Sequence, residues 1–148
     1  MAGNSSRNKG ITGEREIINI LQPIVDNIYE TLAPNLNKPL LERNQNQTNK
    51  GGYDIIGLDW LGIEIKRQET LQLDSWWKQT VCACKKNELP VLIFRQSRKD
   101  WKVITIVDIC VHSQIVETQV QISLADFLNL FTIKTRQQLL IKLNIPKP

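Results

Sequence analysis

Near the start of the chain, apolar residues recur with the period of a helix. At about 100° per residue, Ile17, Ile18, Leu21, Ile24, Val25 and Ile28 fall on one stripe. The stripe predicts a helix over about Gly10 to Ile28, with Pro23 as an interruption that kinks or ends it. Pro34 and Pro39 then bracket a loop, and Leu40-Leu41 reads as the start of a short strand. Two compact apolar runs follow, Tyr53 to Leu58 and Leu61 to Ile65, joined near Asp59-Trp60. Both read as buried strands. Asp74 or Ser75 can cap a second helix reaching to about Glu88, closed by Leu89-Pro90. On it Trp77, Val81 and Cys84 share a face, so at least one Trp is expected in the core. Val91 to Phe94 and Val103 to Val107 read as further strands, connected by the basic segment Arg95 to Lys102. Beyond His112 the pattern weakens. Gln114 to Ile122 alternates like a strand, Ser123 with Asp126 resembles a capping box before Leu124 to Phe131, and Lys134 to Leu143 reads as a last helix. This order predicts an α/β fold, a mixed central β-sheet flanked by helices.

The two central runs carry charge where charge is costly. Asp54 lies in the first. Glu64 and Lys66 lie in the second, and strand alternation points both away from the face of Ile63 and Ile65. Charges inside such strands are expensive unless paired or metal-bound. Two acids and a lysine on one face can hold a hard divalent cation and steady an attacking water or a phosphate. That is the equipment for cutting a phosphodiester. The bland alternative is an amphipathic hairpin with its charges on a wet face. On the first helix, Glu14 falls in the middle of the apolar stripe and Glu16 on the opposite side with Pro23. Glu14 is therefore expected to face the sheet and Glu16 to face water. An acid in the position of Glu14 suits a metal site, or is an end-of-helix carboxylate that still reaches solvent.

Lys9-Gly10-Ile11-Thr12-Gly13-Glu14-Arg15-Glu16, then Gly52-Tyr53-Asp54-Ile55, then Ile63-Glu64-Ile65-Lys66 resembles the PD-(D/E)XK nuclease superfamily. Within it, the arrangement is most similar to archaeal Holliday-junction resolvases and small phage-encoded endonucleases, over roughly residues 7 to 109. In that family a Gly-x-x-x-Glu-Arg-Glu helix start supplies the first acid, and Asp and Glu-x-Lys complete the site. By position these are Glu14, Asp54, Glu64 and Lys66, and the helix wheel picks the same first acid. Tyr53 stands where many members have proline. The resemblance implies a restriction-endonuclease-like core that hydrolyses DNA. It implies Mg²⁺, or Mn²⁺ in its place, held by Glu14, Asp54, Glu64 and the carbonyl of Ile65. A resolvase cuts both strands of branched DNA, so the resemblance also implies a homodimer. The alternative within enzymes is a duplex-cutting phage or mobile-element endonuclease of homing or restriction type. The alternative of another class is a non-catalytic DNA-binding protein keeping a decayed nuclease fold, which the four intact positions argue against.

A net charge of +4 and a pI of about 9.1 add a modest basic excess that suits a nucleic-acid partner. Arg43 to Gly52 is either a plain connector or a loop that grips phosphate through Arg43 and Lys50. Several nuclease families of this fold place a glutamine on the helix after the Lys strand, near the reacting phosphate. Gln79 is the candidate by position, or else a surface residue. Trp101, with Arg98 and Lys102, is either part of a stacking and phosphate patch or a cross-strand aromatic. Met1 to Lys9 is polar and without an apolar centre, so it reads as a flexible tail and not a secretory signal. Residues 10–148 read as a single nuclease domain, with a core over about 10–110 and an extension over about 111–148. No run of about 18 apolar residues occurs, so no membrane span is expected. Cys82, Cys84 and Cys110 read as reduced core thiols, which places the chain in the cytoplasm, a host cell's if a phage encodes it. His112, the single histidine, lies far from the motif and is not expected to be catalytic.

Overall fold

Ile17, Leu21, Val25 and Ile28 are all buried, and they turn one side of helix α1 (Ala2–Leu32) onto a β-sheet. The computed structural model describes residues 2–45 and 52–144, with side chains from Arg7 onward. Helix α1 is longer than its apolar stripe. It is already helical at Ala2, so the tail expected over residues 1–9 is helix in its described part, and it runs through Pro23 to Leu32. Pro23 is tolerated because it sits on the exposed side. The carbonyl it frees, that of exposed Asn19, faces solvent.

The sheet has six strands in the order β1 (Glu42–Arg43), β2 (Ile55–Ile56), β3 (Leu61–Arg67), β4 (Leu89–Arg95), β5 (Lys102–Val111) and β6 (Gln114–Ser123). Only β3 and β4 are parallel, joined by the crossover helix α2 (Leu73–Ala83); the other neighbours are antiparallel. The architecture is thus the mixed sheet flanked by helices that the hydrophobic pattern predicts. Alternation along the strands splits the apolar residues between two faces. Ile63, Ile65, Val91, Ile93 and Val103 join α1 and the last helix, α3 (Leu124–Lys142), in the main core. Leu92, Phe94 and Ile104 form a smaller core with Trp76 of α2 on the other face.

Several boundaries differ from the pattern-based reading. Helix α2 ends at Ala83, and its buried side carries Trp76 and Thr80, leaving Val81 exposed and Trp77 only half-buried. Glu88, read as helical, instead accepts hydrogen bonds from the Tyr53 hydroxyl (2.9 Å) and the Lys85 N–H (2.8 Å). The two helical segments expected after Ser123 are one helix, since neither glycine nor proline interrupts Phe131 to Lys134. Ser123 caps it, accepting from the Asp126 N–H at 3.0 Å and donating to the Asp126 carboxylate at 2.8 Å. Phe127, Phe131 and Leu139 of this helix are buried in the main core, with the Phe131 ring 6.1 Å from that of Trp60. The outer half of the β5–β6 hairpin stands clear of the helices, with Ile109, Val111, Ile115 and Val116 exposed. Its turn, His112-Ser113, has φ of 47° and 66°. Cys82 and Cys110 are free but exposed, so they are not the core thiols expected. Among the described residues no helix is long and apolar enough to cross a membrane.

Gly62, on β3, is tightly packed. A Cβ there would lie 2.9 Å from Cδ1 of Tyr53 and would collide with Cys84 Sγ. Gly62→Ala is expected to cost about 1–3 kcal/mol through overpacking. A melting temperature equal to that of the wild type would show that this contact is slack.

Candidate functional site

The site begins where a strand gives out. β2 is two residues long and meets β3 at a single register point, Ile55 opposite Ile63. Asp54 carries the pairing on. Its N–H donates to the Ile63 carbonyl at 2.7 Å, and its carbonyl accepts from the Asn44 N–H at 2.8 Å. Its carboxylate accepts from the Ile65 N–H at 2.6 Å, taking the place of a strand partner. A paired strand residue sends its N–H and C=O to the same edge, so the Ile65 carbonyl also faces this gap. On β3, Ile63 and Ile65 enter the main core, while Glu64 and Lys66 project on the opposite side. Glu64 is 3% exposed, and Lys66 Nζ lies 2.7 Å from its Oε1.

Glu14 arrives from α1, one turn ahead of buried Ile17. The helix can approach the sheet here because residue 13 is glycine. A Cβ on Gly13 would sit 3.3 Å from Cη2 of Trp101 and 3.5 Å from Cγ2 of Ile65. The Glu14 carboxylate is engaged by Nε of Arg43 from β1. Glu16, two residues on, is the second anchor of the helix. Arg95 at the end of β4 reaches it with both Nη atoms, at 3.2 and 2.8 Å, and the Trp101 indole N–H donates to it at 2.9 Å. The Arg95 guanidinium also lies 4.3 Å above the Trp101 ring.

Glu14, Asp54, Glu64, Ile65, Lys66 and Gln79 all line one open cleft of about 810 Å³. Its electrostatics are those of acids crowded together away from water. Burial pushes the Glu64 carboxyl above the usual carboxylate range, and repulsion from Asp54 adds to the rise against the pull of Lys66. Burial also raises Glu14; the Arg43 hydrogen bond opposes this and the Asp54 charge reinforces it. Among the described residues, no group of three or more His, Cys, Asp and Glu side chains stands assembled as a metal site. Arg43 and Lys66 each hold one oxygen of an acid that the resemblance assigns to the ion. The donor set nonetheless fits a hard divalent cation. It consists of carboxylate and carbonyl oxygens, and Oε1 of Glu14 and Oε2 of Glu64 make no hydrogen bond among the described residues.

A family model described as "Phage putative PDDEXK endonuclease" matches residues 5–142. The chain belongs to this family. No curated protein and no solved structure matches it. Membership makes the chain a PD-(D/E)XK protein of phage type. The superfamily generally works with divalent metal ions, in keeping with the oxygen-rich cleft.

The structure gathers some of the residues picked from the sequence and disperses others. Glu14, Asp54, Glu64, Ile65, Lys66 and Gln79 share the cleft. Arg43 is tied to Glu14 instead of lying in a loop, and Lys50 falls outside the described residues. Arg98 and Lys102 are exposed but do not line the cleft. Trp101 is 6% exposed and has no open face for stacking on a base, because Gly13, Glu16 and Arg95 cover it. Glu16 is not free in water but bound by Arg95 and Trp101. The signal for this anchor was available in part: an arginine ending one buried strand, a tryptophan before the next and an acid near the helix start. Helical periodicity alone cannot join residues so distant in sequence.

Two outcomes follow. Glu16→Gln removes the charge that Arg95 faces in a half-buried site, and is expected to lower stability by about 1–3 kcal/mol in thermal unfolding. A melting temperature within a degree of wild type would mean that the clamp carries no load. The second concerns pH. A carboxyl whose folded pKa is raised stabilises the fold fully below its unfolded pKa, and that contribution is lost as pH rises through the folded value. Metal-free wild type should therefore lose stability relative to Glu64→Gln as pH rises from the ordinary carboxylate range through the raised folded value. Parallel curves for the two proteins would contradict the assignment.

Proposed function

We propose that the chain is a metal-dependent DNA endonuclease in which Glu14, Asp54, Glu64 and Lys66 form the catalytic site. The observation that carries this reading is the convergence of these four residues on one cleft at the broken edge of β3, in a chain of a PDDEXK family. Glu14, Asp54, Glu64 and the Ile65 carbonyl would hold Mg²⁺, with Mn²⁺ as a substitute, which supplies charge neutralisation at the phosphate and a lowered pKa for water. Lys66 is held by Glu64 with its ammonium on the cleft side. There it orients the attacking water or carries charge that develops on the pentavalent phosphate. Gln79 on α2 lines the cleft, which supports a role in hydrogen-bonding the same phosphate. In-line attack on phosphorus breaks the bond to the 3′ oxygen and leaves a 5′-phosphate and a 3′-hydroxyl.

The preferred substrate in this reading is branched DNA, cut as paired nicks by a homodimer in the cytoplasm of a phage-infected cell. Resemblance to junction resolvases supports it, as does the spread of basic residues along the chain, which suits backbone and shape reading more than base reading. Exposed Arg98 and Lys102 serve the backbone outside the cleft. The second reading is a duplex-cutting phage endonuclease of homing or restriction type, favoured by a family description that names endonucleases without naming junctions.

Cleavage of a four-way junction beside a plain duplex of the same sequence, with Mg²⁺ and with chelator, separates these readings. Junction cutting that chelator abolishes is expected, and equal competition by unbranched duplex would transfer the function to the second reading. Asp54→Ala, Glu64→Ala and Lys66→Ala should each reduce the rate by about 100-fold or more while DNA binding persists. Wild-type rates in all three would remove the cleft from the reaction.

A further inference from the structure

Arg67 follows Lys66 on β3, lines the same cleft and is half-buried. In the parallel pairing of β3 with β4 it stands opposite Arg95, so two guanidinium groups leave neighbouring strands on the same face. Such like-charge neighbours repel unless each is compensated. Arg95 has its charge compensated, by both oxygens of Glu16 and by the Trp101 ring, although its Nε is buried without a partner. Arg67 does not. Among the described residues its guanidinium makes no hydrogen bond or ion pair at any of its nitrogens, and its Nε, like that of Arg95, is buried without a partner. Glu69 feels it through space, but the Glu69 carboxylate already accepts from the Ser97 N–H at 3.2 Å and from the Ser97 hydroxyl.

An unpaired cation, partly desolvated beside another cation, is a cost that the fold itself does not offset. Departures of this kind concentrate at sites that a ligand completes. The missing partner is an anion, it must enter from the cleft, and the cleft is the one assigned to DNA cleavage above. We propose that Arg67 binds a backbone phosphate of the DNA next to the one that is cut, an inference that rests on that assignment. Alternation sends Lys66 and Arg67 to opposite sides of the end of β3, so the two cations suit two consecutive phosphates better than one. A guanidinium can meet the non-bridging oxygens of a phosphodiester with two parallel N–H donors. Arg67 then fixes the register of the strand while Lys66 serves the linkage that breaks.

The test reads binding without metal, so that it does not depend on catalysis. Arg67→Met keeps the apolar stem and removes the charge. On a plain duplex in chelator it should weaken binding about tenfold. It should also flatten the dependence of log K on log salt by about 0.9. Its melting temperature should hold or rise, because the repulsion with Arg95 is gone. Wild-type affinity and slope in this variant would overturn the proposal. If the variant does not fold, wild-type protein is titrated with duplexes carrying one neutral methylphosphonate linkage, stepped along the strand. The proposal expects two consecutive sensitive linkages, and sensitivity at one alone overturns it. Wild-type protein that binds in this manner but never cuts would defeat the nuclease reading and leave the Arg67 contact standing.

Discussion

Carboxylates kept from water and near one another set the terms for everything around them. Asp54 and Glu64 are almost fully buried and Glu14 nearly so, and Asp54 raises the proton affinity of both others. No apolar core tolerates such a group by itself. Each acid is therefore given a local answer: a backbone N–H for Asp54, an ammonium for Glu64 and a guanidinium for Glu14. The answers come from two strands, β3 and β1, and the acid that β1 answers sits on α1. They hold only if α1, β1 and β3 keep their relative positions, so the charge balance of the cleft depends on packing some distance from it.

That packing is asymmetric about α1. The middle of its apolar stripe rests on Ile63 and Ile65, but both flanks of the helix also find partners. On one flank Arg43 rises from β1 to Glu14; on the other Arg95 and Trp101 reach Glu16. Two acids that point away from each other on the helix are thus both engaged, one at the cleft and one for anchorage. Gly13 allows the close approach that makes both reaches short.

Much of this was legible in the sequence. The second apolar run became β3, whereas the first, expected as a buried strand over Tyr53 to Leu58, became only the two-residue β2 with Ile56 exposed; the charges that break their pattern line the cleft. The stripe on the first helix turns Glu14 toward the cleft, because position relative to the core is what a helical wheel measures. It failed for Glu16 because a wheel contains no information about long side chains reaching up from the sheet on either flank. Trp101 was misjudged for the same reason: a tryptophan among basic residues looks like a surface patch until the helix that covers it is in place. Nothing local distinguishes Arg67 from any strand-end arginine. Its oddity appears only once Arg95 is seen beside it and already occupied.

The broken ladder at Asp54 has a consequence for how such a chain can change over generations. The connection from Ile56 to Leu61 joins a one-point pairing to a strand whose two faces do opposite things. A slip of β3 by one residue would exchange the faces, burying the charges and exposing Ile63 and Ile65 in the cleft. The seven-residue pairing of β3 with β4 holds it against that, so a change of length in the connection falls on the one-point pairing of β2 and on Asp54 beside it. The tip of the β5–β6 hairpin is under no such constraint, since its turn touches neither core nor cleft. An inserted segment has an open address at His112-Ser113 and a costly one at the turn beside the acids.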